Sequence, residues 1–494
     1  MTRINNAGAE PAPDSTGLPS SRDGPAPAAP SSVPTKRTLP PQLAGLQTDL
    51  PRQSPPLPKR RHTTLLDPLI ETPFDRYAFE LILNEWQFNG SRPQERLLSQ
   101  FTASSLRGDA PYWDLDERAI VAGGSKLELY GDARASPLRT DNGEIRVRLH
   151  YADEANRNRM TEAYGPPSGR EPAFMRGSYR TAQVKTASGW QQFKFSMPRN
   201  RGFGLDAPHK ALTPANIKTA VLFSEVLSGS PAYAREPAGL AFTLGDGGQP
   251  ITQLWREMPV ASRGFQPGDF AAPIHVLTAP EFAESAHGRR IFGLHRQLRS
   301  SPGDAQALWL VRELAPRLAD ILLDVFISTH AHPQLHEQNA ELVVDADGHI
   351  LDIIIKDLSD MALDYRAISA AGKIDRWRGL EMNEAAFAPP TTDELQFDAG
   401  DRYSVASFYR AFLGSIGTRV PEQSDEHTPS LVVVETARLL SDRVRQRLPV
   451  AWLQIRLDRR AHENAFGVDV TNPYERIAAL RALIVEYIEA GGRP

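Results

Sequence analysis

The 494-residue chain contains no cysteine. Disulfides, thiolate metal sites and cysteine nucleophiles are thereby excluded, and any metal must be held by His, Asp, Glu or carbonyl oxygen. Long apolar runs are also missing. None reaches the roughly 18 residues that a membrane span needs, so no membrane partner is expected. The opening MTRINNAGAEPAPD has no apolar h-region, which argues against a secretory signal peptide. Charge of one sign is lacking too. The formal net charge is -4, close to neutral at this length, and nothing global points to nucleic acid or an anionic membrane. What the chain does have is 40% hydrophobic residues, enough to build cores, in a length that suggests two or three domains.

Composition changes along the chain. Residues 1–65, with GPAPAAPSSVP and LPRQSPPLPKRRH, have few aromatics and no usable periodicity. Such a segment buries too little apolar surface to offset its ordering entropy and is expected to be disordered. Its run Lys59-Arg60-Arg61 reads as a solvated basic linker end or a docking signal. The Pro/Ser-rich composition also resembles the export leader of a bacterial type III effector. From about Thr72 the chain is expected to be ordered, in three parts: a helix/strand region (66–170), a sheet lobe (171–275) and a mainly helical part (276–494).

Periodicity fills in these parts. Helical spacing predicts helices over 75–88 and 94–106, and alternation predicts strands over 125–132, 144–151, 179–185 and 190–197. The last two form a hairpin around Thr186–Gly189. LTPANIKTAVLFSEVL predicts a helix with Thr213 as N-cap and Pro214 at its first position. Strands follow at 238–244 and 251–257. Beyond 303 a long apolar helical segment is expected to be kinked or divided by Pro316. Two strands, AELVVD and ILDIIIKD, are joined by Asp345–Gly348, whose Asp-Gly is a strong hairpin signal. Helices close the chain at 404–416, 431–448 and 474–490. The fold class is α+β: an antiparallel sheet lobe and a helical lobe with a small hairpin.

The stretch STHAHPQLHEQN places His330, His332 and His336 within seven residues. Three imidazoles suit zinc. The His-x-His-x-Asp-His signature fails, because Pro333, Gln334 and Leu335 follow His332. His-Glu-x-x-His fails as well, because Gln338, Asn339 and Ala340 follow Glu337. A nucleotide reading uses more of the stretch. The polar loop His336–Asn339 precedes the hairpin, and Lys356-Asp357 ends its second strand. A loop Asn and a strand-end Asp are how a kinase-like lobe brings two Mg²⁺ ligands to one phosphate site. Asp352 and Asp360 are further candidates, whereas His330 and His332 read as structural.

The stretch HEQNAELVVDADGHILDIIIKDLSD resembles the core of the siderophore synthetases that work without a nonribosomal peptide synthetase, the aerobactin synthetase (IucA/IucC) family. The family's His-x-Gln-Asn, hairpin and basic-Asp steps appear here as His336, Gln338, Asn339, Asp347-Gly348 and Lys356-Asp357. Its Ser-x-Arg-Thr strand, Lys-bearing strand and Thr-led helix appear as Ser178, Arg180 and Thr181, then Lys194, then Thr213 and Lys218. ITQLWRE with Arg256 and Asn472-Pro473 resemble further family segments. The likeness covers roughly residues 170 to 475.

The resemblance implies fingers, palm and thumb lobes with ATP between the first two. It implies that His336, Arg180 and Lys194 act on the reacting phosphate. Ser178, Thr181, Thr213, Lys218, Gln338, Asn339 and Lys356 would bind the nucleotide, and Asp357 with Asn339 would hold Mg²⁺. It further implies a ligase of the bacterial cytoplasm that adenylates a carboxylate and passes it to an amine or hydroxyl, often as a homodimer. Three features depart from the family. Lys356 and Lys218 stand where arginine is commoner, which at Lys218 loses bidentate phosphate binding. The Gly-His-Pro-x-His-Pro-x-x-Lys segment of the substrate pocket is missing, and the region reads AYGPPSGREPAFMRG. Two other readings stay open. One is an effector secreted into a host cell, with a host protein as its partner. The other is a homologue that binds nucleotide without turnover.

Overall fold

A computed structural model describes Leu81, Asn84 and residues 107–494, except for 133–136, 152, 177–179, 197–211, 229, 231, 246–249, 259–264, 267, 298–300, 374–404, 417–428 and 460–471. The expected leader with its basic run, and nearly all of the helices expected at 75–88 and 94–106, lie outside the described residues. Leu81 and Asn84 are helical, and Asn84 donates to the Ala271 carbonyl at 2.9 Å.

Eight antiparallel strands form one sheet: β1 (Arg107–Leu115), β2 (Lys126–Gly131), β3 (Ile145–Arg148), β4 (Gly169–Met175), β5 (Thr181–Thr186), β6 (Gly189–Phe195), β7 (Ala238–Thr243) and β8 (Ile251–Arg256). Their order is β2-β7-β8-β6-β5-β4-β1-β3. Helices α1 (Glu117–Ala122), α2 (Glu154–Tyr164) and α3 (Pro214–Val226) are threaded between them. The boundary expected at 170/171 falls inside β4, and β1 pairs with β4 from Arg107↔Phe174 to Tyr112↔Gly169. That ladder joins β1 and β3 to the sheet lobe, while β2 joins at the opposite edge by pairing with β7; an unpaired strand edge would leave its backbone groups unsatisfied.

The expected hairpin forms as read, with Thr186 opposite Gly189. Its register places Thr181 opposite Lys194, and Lys194 opposite Leu254 on β8. Lys194 and Arg256 thus come from neighbouring strands β6 and β8, and Arg180 immediately precedes β5 on the other side of β6. Helix α3 starts as the sequence indicates. Thr213 Oγ1 accepts from Asn216 N at 3.1 Å, and Asn216 returns the contact in a capping box. It lies close on the sheet: a Cβ at Gly239 would sit 2.4 Å from Ile217 Cγ2.

The second part begins with β9 (Phe270–Pro273) and short helical turns between 274 and 296. Helix α4 (Pro302–Trp309) runs through a wide π turn (Leu310–Leu314) into α5 (Ala315–Asp324), and a second π turn (Val325–Thr329) follows. The expected effect of Pro316 takes this form. Proline has no N–H to donate, and its ring crowds the carbonyl four residues back, so the preceding turn widens.

Strand β10 (Ala331–His332) leads to β11 (Ala340–Val344) and β12 (Ile350–Ile355). Gly348 closes the tight turn between the last two at φ 90, where a Cβ would also sit 2.3 Å from the Ile291 carbonyl oxygen. The hairpin is not alone, because β9 pairs with β11 and makes a three-stranded sheet. FAAP is four residues long and does not alternate, so it carries no strand signal of its own. Then come β13 (Ala362–Leu363), α6 (Tyr365–Ala370), α7 (Val405–Leu413), α8 (Leu431–Arg447), α9 (Val450–Arg459) and α10 (Pro473–Glu489). One apolar core unites these helices with the small sheet through Phe270, Trp309, Leu322, Leu342, Ile353 and Leu480.

The two parts are stitched together at β12. Ala234 N donates to the Ile355 carbonyl at 2.7 Å, and Ile355 N donates to the Ala232 carbonyl at 2.6 Å. The segment leading into β7 thereby runs beside the end of the hairpin. Among the described residues no helix is long and apolar enough to cross a membrane.

Candidate functional site

The hairpin ends at Asp357, whose backbone is left-handed at φ 67. Aspartate tolerates that conformation better than most residues. The reversal starts the 3₁₀ turn Leu358–Asp360, which is anchored where Leu358 N donates to Glu236 Oε2 at 3.1 Å. Glu236 is fully buried and also accepts from Arg256 Nε at 2.7 Å, while Arg256 Nη1 reaches Gln192 Oε1 at 2.8 Å. The Asp357 carboxylate accepts from Lys194 Nζ and, at 3.2 Å, from Ser359 Oγ. Burial pushes the Asp357 carboxyl up, but Lys194, Arg256 and Arg180 outweigh that and hold it below the usual carboxylate range. Residues 163 positions apart in sequence thus form one charged centre.

The histidine loop borders this centre. Asn339 is buried, and its carbonyl accepts from Lys356 N at 2.9 Å, directly beside Asp357. His336 Nδ1 accepts from Gln338 N at 3.2 Å, which leaves the proton of the neutral ring on Nε2. The ring packs against Phe412. Glu337, between them, is buried, and Thr278 Oγ1 donates to it at 3.4 Å.

Other expected residues are placed differently. Thr213 is engaged in its helix cap, with Lys218 half-buried on the same helix. Thr181 is buried, and its carbonyl accepts from Arg176 N at 2.8 Å. Ser178 and the Asp360 side chain lie outside the described residues. Lys356 is not turned to the Lys194–Asp357 pair. It donates to Glu341 Oε1 at 2.6 Å, alongside Arg176 at 2.7 Å.

Arg176, Glu236 and Glu341 were not picked out from the sequence. Glu341 carried a signal, since a carboxylate inside the otherwise apolar AELVV demands a cationic partner. Burial raises its pKa, but Lys356 and Arg176 more than reverse this and bring it from 4.5 down to about 2. The unfolded chain then takes up the proton first as pH falls. The stabilisation, on the order of 3 kcal/mol, is complete above pH 4.5 and lost as pH falls through about 2. Glu341→Gln is expected to lower stability at pH 7 and to flatten the acid limb between those values in urea titrations. An acid limb as steep as the wild type's would count against this network.

The histidine triad is taken apart by the fold. His330 is buried at φ 53, ending the second π turn, with Lys373 Nζ 3.4 Å from its Nε2. Burial, reinforced by Lys373, brings its pKa down to about 4, so it is neutral at pH 7. His332 lies nearby in a buried network, which touches His330 where Asp364 N donates to the His330 carbonyl at 2.8 Å. His332 Nδ1 is 2.6 Å from the Tyr409 hydroxyl, and its Nε2 is 3.4 Å from Asp364 Oδ2. Asp364 in turn accepts from Arg481 Nε at 2.6 Å and Nη2 at 2.5 Å, and caps α6 through Ala367 N at 3.0 Å. Asp352 sits elsewhere again, in a cavity of about 530 Å³ lined also by Asp320, Asp324, Arg317, Lys373 and Tyr233.

No protein-family model and no curated protein sequence matches the chain. Among solved structures it is similar to aerobactin synthetase IucA from a hypervirulent pathotype of Klebsiella pneumoniae, at 11% identity and a TM-score of 0.47, covering 72% of this chain and 65% of that one. It is also similar to petrobactin biosynthesis protein AsbB from Bacillus anthracis str. Sterne, at 14% and 0.46, covering 79% and 66%. For aerobactin synthetase IucC from Klebsiella pneumoniae the values are 14% and 0.45, covering 76% and 73%. The chain spans about two thirds of the length of IucA and AsbB.

Proposed function

We propose that the chain is an ATP-dependent ligase of the siderophore-synthetase type, which adenylates a carboxylate and condenses it with an amine or hydroxyl. The observation that carries this reading is the meeting of Lys194 with Asp357, beside Arg180 and Arg256. Cations from the sheet lobe converge there on the hairpin aspartate that the motif marks for Mg²⁺. In the reaction a carboxylate oxygen attacks the α-phosphorus and pyrophosphate leaves. The amine or hydroxyl then attacks the acyl carbon, AMP leaves, and the nucleophile gives up a proton.

Lys194 and Arg180 would offset charge on the phosphates, and His336 would donate from Nε2. The Asp357 carboxylate and the Asn339 amide are hard oxygen donors that fit Mg²⁺, which takes one or two carboxylates together with substrate phosphates. Mg²⁺ would neutralise phosphate charge as pyrophosphate departs. In this reading Thr213 and Lys356 act as positioning residues, the first through the α3 cap and the second through Glu341. Ser178, Thr181, Lys218 and Gln338 complete the proposed nucleotide set.

The test is pyrophosphate release from ATP and Mg²⁺, assayed with a panel of polycarboxylates, each paired with polyamines and amino alcohols. Multiple-turnover release that depends on both partners is expected, since the nucleophile is needed to discharge the acyl-adenylate left by the first step. No release with any pair, from a protein that still binds ATP, would sink the ligase reading and leave nucleotide binding alone.

A further inference from the structure

The proposed reaction brings a divalent ion and a nucleotide to one place, and the surroundings of Asp357 bear on their order of arrival. Lys194 Nζ already lies on Asp357 Oδ1, with the two side chains only 5% and 20% exposed. Arg180 and Arg256 add positive potential at the same carboxylate. Glu236 offsets part of it through its bond to Arg256. A hydrated divalent ion would therefore meet an ammonium group in its place and more cations behind it. Mg²⁺ sheds water reluctantly, and a single carboxylate that is already paired offers it little in return. A phosphate chain changes both conditions. It supplies Lys194 with another anion, and it reverses the sign of the local charge.

We propose that Lys194 is a placeholder cation. In the free protein it occupies Asp357 and excludes divalent ions. When phosphates enter, it moves from the carboxylate to them and opens Asp357 to the metal, so that metal and nucleotide bind as a unit. This rests on the nucleotide reading above. Linkage then requires that each ligand tighten the other by the same factor.

The experiment uses the full chain with Mn²⁺ as probe, its free concentration read by electron paramagnetic resonance. The nucleotide is the non-hydrolysable β,γ-methylene analogue of ATP, and its own binding is followed by calorimetry with and without metal. With the Mn²⁺ that the analogue chelates by itself subtracted from a protein-free control, wild type is expected to bind Mn²⁺ about tenfold more tightly, or better, with the analogue than without it. Lys194→Met is expected to bind Mn²⁺ without nucleotide about tenfold more tightly than wild type, and adding Asp357→Asn should remove that gain.

Mn²⁺ affinity in wild type that ignores the analogue, while the analogue binds, overturns the placeholder and leaves the nucleotide site standing. So does a Lys194→Met protein no better at binding Mn²⁺ than wild type. An analogue that does not bind under any condition removes the nucleotide reading, and the transfer of Lys194 falls with it. Should Lys194→Met fail to fold, Lys194→Gln takes its place in the Mn²⁺ titration without nucleotide, and a protein no better than wild type at binding Mn²⁺ overturns the placeholder.

Discussion

Asp357→Asn is expected to reduce turnover by roughly 10²–10³-fold while the fold stays in place. The substitution is chosen for the backbone. Asp357 sits at φ 67, which asparagine also adopts readily, whereas alanine would add strain. Asparagine keeps an oxygen for Ser359, which lies 3.2 Å from the carboxylate in the wild type. What it removes is the negative charge that Lys194 holds and that the motif reading assigns to Mg²⁺. The measurement is pyrophosphate release in parallel with a thermal melt. Turnover within a few-fold of wild type would show that the nucleotide site is misplaced, and a large drop in melting temperature would show that Asp357 acts mainly as a structural partner of Lys194.

The largest expected loss of stability is at Asp364. Its carboxylate receives two bonds from Arg481 and faces His332, and Asp364 and Arg481 are both 2% exposed in their side chains. Burial raises the carboxyl pKa, but the bond to His332 and the Arg481 guanidinium reverse this and hold it well below the ordinary range. Asp364→Ala leaves a guanidinium buried without its counter-ion and removes the α6 cap. The expected cost is about 3–5 kcal/mol, read as a shift in the urea midpoint with an unchanged slope. Asp364→Asn keeps the acceptor and is expected to lose less. A loss below about 1 kcal/mol for the alanine variant would mean that Arg481 finds water or another partner.

The two residues differ in how far the sequence announced them. Asp357 was legible because it stands at the end of an apolar strand, after a loop with His336 and Asn339, in an order that matched a family pattern. Asp364 had no local signal. It follows a two-residue strand, and its partner Arg481 is 117 positions away on α10. Glu236 was silent for the same reason, since AREPAG shows no pattern that foretells Arg256 on one oxygen and the Leu358 amide on the other.

Elements with strong local preferences were readable from the sequence. The Thr213 cap of α3, the Thr186–Gly189 hairpin and the Asp-Gly turn before β12 each depend on a few adjacent residues. Strand β9 and the pairing of β1 with β4 were not readable, because FAAP is four residues long and a ladder is set by a partner distant in sequence. Pro316 was legible as an interruption, though not as a π turn. Proline fixes which hydrogen bond is missing, and the surrounding packing decides how the helix absorbs the loss.

The sequence by itself therefore determined the α+β class, helices α3, α4, α5, α7, α8 and α10, most strands of the described part, and the candidate residues of the loop His336–Asn339. These follow from periodicity, turn chemistry and residue type, which act over a few positions. Only the tertiary structure decided who meets whom. It sent Lys194 to Asp357, Lys356 to Glu341 and His332 to Asp364. A buried charge must find its counter-ion in space, and the sheet register and the stitching of residues 232–234 to β12 choose which one is within reach.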